Sequence, residues 1–355
     1  MDILGGQAVQ LARLRDQLEN TPGLEVGFLP MNPRLPGPLR LLQRVKYVRT
    51  VATSIGYWIL LVSRVRKFDV VHAFSPSYWA FLLGPVPAML VARAFGRGAL
   101  LNYHSGEAED HLRNWRTAVP LSRLAHRIVV PSGYLRDVFA RFGLTAEAIH
   151  NFVDADAIPY RERVTMRPAF LSNRNFEAHY NVSCCIRAFA RVQQRIPSAS
   201  LVVAGYGSQR ELLEELVRTL QLRNVVFTGR VSPAEMGRLL NEADILLNSP
   251  DIDNMPLSLI EAQAAGLPVV STSTGGIPYI VNHGESGLLV PPGDDEAMAA
   301  ASLRLLEEPG LAARLARAAR AACLEHFTWP AVQDAWVRVY RELAASSRPV
   351  EHVPA

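Results

Sequence analysis

Ser249-Pro-Asp251-Ile-Asp253-Asn-Met-Pro256-Leu-Ser-Leu-Ile-Glu261-Ala-Gln-Ala-Ala-Gly266-Leu-Pro-Val-Val270 is the most informative stretch of the chain. An apolar run, Ile245–Asn248, leads into it and Val269–Thr272 leaves it, so the local order is strand, loop, helix, strand. Pro256 suits the first helical turn, where its missing N–H is not needed. The helix entrance around Asn254, Met255, Pro256, Leu257 and Ser258 then gathers unpaired backbone donors. Those donors and the helix macrodipole attract an anion such as a diphosphate. Asp253 stands just before the entrance and Glu261 deeper in the helix. Two carboxylates at different heights can accept hydrogen bonds from the hydroxyls of a ribose and a hexose. A capping Asp beside a surface Glu gives the same spelling, and the residues alone leave both readings open.

Outward from this stretch, short apolar runs alternate with amphipathic ones, the pattern of α/β units with parallel sheets. A first series of strands is expected at Leu24–Leu29, Val70–Phe74, Ala99–Tyr103, Arg127–Pro131 and Ala148–Asn151. A second is expected at Ala169–Leu171, Ser200–Ala204, Val225–Thr228, Ile245–Asn248, Val269–Thr272 and Gly287–Val290. Helices are expected between them, among them Ser208–Leu220 and Asp295–Glu307. The 355 residues fit two Rossmann-like domains, 1–158 and 159–330. The segment Asp156–Pro168, with its prolines and charges, serves as linker, a last helix covers 331–345, and 346–355 form a tail. Only Met1–Leu4 precede Gly5-Gly6, so the first strand is either a stub or lost with the start of the chain.

The balance of 49% apolar and 20% charged residues is that of an ordinary globular chain. Cys184, Cys185 and Cys323 are too few and too scattered for a disulfide framework or a zinc site, and are read as reduced structural thiols of a cytoplasmic protein. No basic segment followed by an apolar run opens the chain as a signal peptide would. Charge is uneven: the first 100 residues carry twelve Lys and Arg against five Asp and Glu. Arg34–Lys67 holds eight basic residues and no acidic one, with Leu41, Leu42, Val45, Tyr47, Val48, Val51, Ile55, Trp58 and Ile59 interleaved. Such a helix either lies on an anionic bilayer or packs on the core with its basic face in water. No apolar run reaches the roughly 20 residues that a membrane span needs.

The resemblance that these residues carry is specific. Asp253 and Glu261 resemble the Glu-x7-Glu signature of the family 4 (group 1) glycosyltransferases, and Thr274-Gly275-Gly276-Ile-Pro278 through Gly284-Glu-Ser-Gly287 to Pro292-Gly293-Asp294 resembles that family's next block. The resemblance covers nearly the whole chain, more strongly from about Val129 onward. It implies the GT-B architecture: two Rossmann-like domains facing across a donor cleft, with the terminal helix crossing back to the first. It implies a retaining transferase that moves a hexose from a UDP- or GDP-linked donor to a hydroxyl of a glycan or lipid-linked acceptor. Glu261 would hold the ribose and Asp253 the sugar hydroxyls. Arg174 resembles the family's diphosphate-binding arginine, and its guanidinium suits phosphate oxygens. Gly205-Tyr206-Gly207, Gly229-Arg230 and Gly5-Gly6 resemble the family's donor loops, and His104 a histidine near the reacting sugar. Arg174, Asp253 and His104 are the candidate catalytic residues. No cofactor is expected, and no metal, since Asp251-Ile-Asp253 fits the carboxylate signature better than a metal loop.

Two positions depart from the family. Tyr180 stands where a lysine usually follows the arginine, and Tyr279 replaces a glutamate. Loss of a cation beside a leaving diphosphate weakens catalysis, so a catalytically weak or inactive GT-B protein that binds sugar nucleotide or glycan in an envelope-polysaccharide assembly is the alternative. A nicotinamide dehydrogenase does not fit, because no Gly-x-Gly-x-x-Gly follows a first strand. No nucleic-acid module is recognisable. Tyr78, Trp79 and Trp115, with Phe74 and His111, either line an acceptor site or pack in the core. The expected location is cytoplasmic, peripheral to the inner face of a membrane through residues 34–67.

Overall fold

The computed structural model describes residues 6–347. The chain divides into two compact units, Met1–Ile149 with Gln333–Ala355, and His150–Val332. In the first lie α1 (Gly6–Glu19), α2 (Lys46–Arg64), β1 (Val70–Ser75), α3 (Tyr78–Leu83), α4 (Pro85–Ala94), β2 (Gly98–Tyr103), α5 (Ala108–Asn114), α6 (Ala118–Ser122), β3 (Arg127–Val130), α7 (Gly133–Arg141) and β4 (Glu147–Ala148). Its strands form a parallel sheet in the order β1-β2-β3-β4. Short 3-10 turns, Gly37–Arg44 and Val65–Lys67, flank α2. β2 is buried along its whole length, as a parallel strand covered on both faces should be.

One expected strand is absent. Leu24–Leu29 alternates as a strand does, yet pairs with no strand among the described residues. A strand exists only through its ladder, and alternation supplies propensity without a partner. Gly27 instead lies under the ring of Phe68, so close that a Cβ there would sit 2.3 Å from it. Gly5 and the stub strand at Met1–Leu4 lie outside the described residues.

The second unit contains β5 (Ala169–Ser172), α8 (Val182–Arg195), β6 (Ser200–Ala204), α9 (Arg210–Thr219), β7 (Val225–Gly229), α10 (Pro233–Glu242), β8 (Ile245–Asn248), α11 (Leu257–Ala264), β9 (Val269–Thr272), β10 (Leu288–Val290), α12 (Asp295–Glu307) and α13 (Leu311–His326). Six parallel strands run in the order β10-β9-β8-β5-β6-β7. That is the doubly wound order, with its reversal between β5 and β8. Phe170, Phe189, Leu201, Leu247 and Val270 are buried in its core. The three cysteines are free and buried.

Residues 161–167 do not behave as a solvated linker. Arg163 is fully buried, and its guanidinium donates to the carbonyls of Arg161 (2.9 Å), Leu240 (2.6 Å), Ala243 (3.0 Å), Ala265 (2.8 Å) and Gly266 (2.8 Å). Four of these carbonyls belong to the last turns and caps of α10 and α11, where helices leave acceptors unpaired. Arg161 and Arg167 bind the buried carboxylate of Asp244, just before β8. Burial pushes that carboxyl up, but hydrogen bonds from Arg167 and Arg161 outweigh it and hold it below its ordinary value.

The last helix, α14 (Trp329–Ala345), starts in the second unit and belongs to the first from Gln333 on. Within the first unit Tyr340 meets His72 Nδ1 at 2.7 Å, Glu342 accepts from Arg127 at 3.2 Å, and Arg338 pairs with Glu147. Gly98 gives Leu343 room, since a Cβ there would come within 3.0 Å of it.

Candidate active site

Ligands of doubly wound sheets bind beyond the carboxyl ends of the strands at the reversal of strand order. Here those strands are β5 and β8. The chain leaves β5 into Asn173-Arg174 and leaves β8 into the loop that ends at α11. The two loops meet through one side chain. Arg174 Nη2 donates to Asp253 Oδ2 at 2.5 Å and Nη1 to Ser258 Oγ at 3.1 Å. Its guanidinium carbon lies 4.0 Å from the centre of the Tyr180 ring, a cation–π contact. The Arg174 and Asp253 side chains are only 10% and 13% exposed, so the pair is little screened by water. Arg174 Nε is buried without a partner among the described residues. Burial pushes the Tyr180 phenol above its ordinary value, and the Arg174 charge opposes that.

The sequence places Pro256 inside the first turn of the helix; in the structure it is the N-cap and α11 opens at Leu257. Leu259 N returns to Pro256 O at 3.2 Å. The N–H groups of Leu257 and Ser258 remain at the entrance without intrahelical acceptors, as helix geometry requires. Ser258 also points its hydroxyl at Arg174. Glu261, half-buried, is the fifth residue of α11.

Met255 and Asn254 hold the loop itself in place. Met255 is buried; its sulfur accepts from Asn151 N at 3.3 Å and its carbonyl from Asn151 Nδ2 at 3.1 Å. The residue therefore anchors the loop. Asn254 lies beneath the glycine turn: a Cβ on Gly276 would stand 2.0 Å from Asn254 O. Gly276 N donates to Asp253 O at 3.2 Å, Thr274 Oγ1 to Asp251 O at 2.8 Å, and Thr272 Oγ1 to Pro250 O at 2.7 Å. What a side chain at Gly276 would obstruct is thus the carboxylate loop itself. From the other side Asp251 N donates to His179 O at 2.8 Å and Ser249 Oγ to Asn181 O at 2.7 Å.

Gly205 and Gly207 serve close approach as well. A Cβ would stand 2.1 Å from Arg174 O at the first and 2.6 Å from Phe176 O at the second. The Gly-Tyr-Gly turn packs backbone to backbone on the arginine loop, with Phe176 N donating to Tyr206 O at 2.8 Å. Gly229, at φ +72°, accepts from Gly205 N at 3.1 Å. Arg230 lies 3.8 Å over the ring of Tyr206. Asn151 joins these residues without having been singled out from sequence, and the Ser258 hydroxyl and the Tyr206 ring join them at positions the sequence named only for their backbone. For Tyr206 the available signal was its place between two glycines.

His104 belongs to the first unit, just after β2. Its ring stacks on Phe74 (5.1 Å between centroids), and Phe74 on His72 (4.7 Å). Its Nε2 is buried without a partner among the described residues, and burial lowers its pKa to about 3. A change of charge near neutral pH, the property that first recommends a histidine, is therefore not available to it; the ring is neutral. Gly6 opens α1, and a Cβ there would meet nothing within 4 Å, so no close approach explains it. Tyr78, at φ +59°, donates to Asp110 at 2.7 Å and packs on Trp115 and His111. Trp79 stays exposed.

A doubly wound unit with an arginine, a carboxylate and a helix entrance at its switch point, in one chain with a second parallel α/β unit, defines a GT-B transferase architecture. The chain belongs to the group 1, or family 4, glycosyltransferases. Residues 157–322 match the family described as glycosyl transferases group 1, and residues 4–157 match glycosyltransferase family 4. The chain is similar to glycogen synthase of Mycobacterium tuberculosis, 30% identical over 290 residues, which cover 77% of this chain and 68% of that protein. It is 26% identical to phosphatidyl-myo-inositol mannosyltransferase of Mycobacterium leprae, over 81% of this chain and 79% of that one. In fold it resembles Anabaena HepE, solved with UDP and glucose, at a TM-score of 0.75 and 19% identity over 97% and 98% of the two chains. Sucrose-phosphate synthase from Thermosynechococcus elongatus gives 0.76 and 19% over 97% and 94%.

Proposed function

We propose that the chain transfers a hexose, with retained configuration, from a UDP- or GDP-linked donor to a hydroxyl of a glycan or lipid-linked acceptor. The observation that carries this is Arg174 held between Asp253 and Ser258 at the entrance of α11, on the switch point of the sheet. The donor's diphosphate takes the guanidinium from Asp253 and meets the N–H groups of Leu257 and Ser258 and the Ser258 hydroxyl. Asp253, released, accepts from the sugar's hydroxyls; Glu261 accepts from the ribose. Tyr206 and Arg230, beside Gly205, Gly207 and Gly229, form the shelf for the base. As the anomeric bond breaks, charge grows on the leaving diphosphate where Arg174 and the helix entrance already stand, which is where fixed donors lower a barrier. A leaving phosphate oxygen takes the acceptor's proton on the same face, so configuration is kept. His104, neutral, exchanges a hydrogen bond with the sugar and no charge.

In this reading the second unit, His150–Val332, binds the donor and the first unit the acceptor, on the cytoplasmic side of a membrane, and neither a metal nor another cofactor takes part. The relatives support an acceptor that is a glycan or a lipid: one is named for glycogen, another for phosphatidyl-myo-inositol. The second reading, a weak or inactive binding protein, is favoured by Tyr180, which puts an aromatic ring on Arg174 where the family has a second cation. A panel of nucleotide sugars screened by thermal shift separates these readings from failure. A true donor at 100 times its dissociation constant adds about 2.7 kcal/mol of stability. If no UDP- or GDP-linked sugar shifts the melt, the first reading falls and the second keeps only its glycan-binding form. Binding without turnover leaves the second. Turnover that survives EDTA, with an α-linked product from an α-linked donor, establishes the first.

A further inference from the structure

α2 has two apolar faces. On one, Thr53, Tyr57 and Leu61, with Val65 of the turn that follows, are buried four residues apart, and Tyr57 OH donates to Gly84 O at 3.2 Å. That face holds the helix to the first unit. A neighbouring side is covered by residues just ahead of the turn before it, where a Cβ on Gly56 would meet Leu35 at 2.8 Å. The remaining face carries Val48, Val51, Ile55, Trp58, Ile59 and Val62, spaced three and four apart, and these are between 40% and 64% exposed. A core-facing helix with a solvated basic face, one of the two sequence readings, would bury this stripe; the structure leaves it in water. A contiguous apolar stripe of that size on a surface marks an interaction site.

The charge around it selects the occupant. Arg34–Lys67 carries eight basic residues and no acidic one. Arg40, Arg44 and Arg49 at one end and Arg64 and Lys67 at the other are exposed. A second copy docking on this face would set like charge against like charge. An anionic bilayer meets both halves: its headgroups attract the basic ends, and the headgroup–acyl boundary takes the apolar stripe of a helix lying in its plane. Trp58 suits that boundary, with an apolar ring and one polar N–H. No helix among the described residues is long and apolar enough to cross the membrane, so the helix lies on it.

We propose that α2 docks the first unit in the plane of an anionic lipid bilayer, inserting the stripe from Val48 to Val62. Vesicle binding needs no sugar donor, so it stands or falls apart from the transferase reading. The test is co-sedimentation of the full chain with vesicles of phosphatidylcholine alone and of phosphatidylcholine with an equal share of phosphatidylglycerol. The expected result is roughly tenfold or stronger preference for the anionic vesicles, weakened as NaCl rises from about 0.1 to about 0.5 M. Ile55→Glu with Ile59→Glu lowers binding roughly tenfold or more with an unchanged melting temperature, because both side chains are already exposed in the fold. Hydrogen exchange of residues 46–64 slows on anionic vesicles, a readout on the unsubstituted chain that serves if the double variant fails to fold. Equal, negligible binding to both vesicles overturns the proposal. So does a dimer that the double variant dissociates, in a chain that ignores vesicles, which would assign the face to a second copy.

Discussion

Arg174 is shared among a carboxylate, a hydroxyl and an aromatic ring, and in the proposed function a diphosphate takes it from Asp253. In that reading Arg174→Met is expected to lower kcat/KM about 100- to 1000-fold, the usual cost of a charge-stabilising donor, and also to lower the melting temperature, because Asp253 loses its partner in a site only 13% exposed. Steady-state kinetics with the donor found by thermal shift checks it, and a loss below tenfold would sink the role. Tyr180 acts on the same guanidinium. Tyr180→Phe keeps the ring and is expected to keep activity within about twofold, while Tyr180→Ala loses a contact of about 1 kcal/mol, roughly fivefold in donor affinity. If Tyr180→Lys raised turnover above the wild type and Tyr180→Ala cost nothing, the ring would be a mere replacement of the family's cation.

Between elements, backbone meets backbone. The carboxylate loop is held from one side by the Gly275-Gly276 turn and from the other by residues 179–181, and the arginine loop rests on Gly205 and Gly207. Glycines that read as ligand contacts are, in the structure, the places where two loops of the site touch. Arg163 does the same for helix ends, satisfying five carbonyls with one buried guanidinium. Arg163→Met fills a similar volume but takes one donor from each of these acceptors, of which Ala243 O and Ala265 O keep a bond from Arg161. It is expected to destabilise the second unit by about 3–5 kcal/mol, read as a shift of the urea midpoint. A change under about 1 kcal/mol would mean that water replaces the guanidinium.

At the scale of the whole molecule, the first unit carries a buried set of neutral histidines. Burial lowers His72 and His104 to about 3 and His111 to about 4. Unfolded, each ring takes its proton near pH 6.5. Between these values the unfolded chain binds more protons than the fold, so stability is full above about pH 6.5 and falls as the pH drops toward 4. Each ring contributes a slope of up to about 1.4 kcal/mol per pH unit. The carboxylate of Asp244 acts lower: with its pKa held down, its contribution fades only as the pH falls below the ordinary carboxylate range of about 4. Denaturant melts between pH 7 and 4.5 are expected to show the first unit failing first, and a flat profile over that range contradicts it.

By itself the sequence determined the order of strands and helices and the place of the carboxylate loop. The strands Ser200–Ala204, Ile245–Asn248 and Val269–Thr272 and the helix Asp295–Glu307 lie where expected, the strands because burial on both faces of a parallel sheet favours short apolar runs. Asp253 and Glu261 stood out as two carboxylates around a helix entrance, and Arg174 through the family resemblance. Only the tertiary structure decided what those residues do to one another. That Leu24–Leu29 lacks a ladder, that Arg163 is buried under two helix ends and that α2 turns a second apolar face outward depend on segments distant in the chain; that Tyr180 covers Arg174 depends on how the short loop between them folds. Periodicity along one segment states which face is apolar; which neighbour, if any, covers it is settled only when the segments meet.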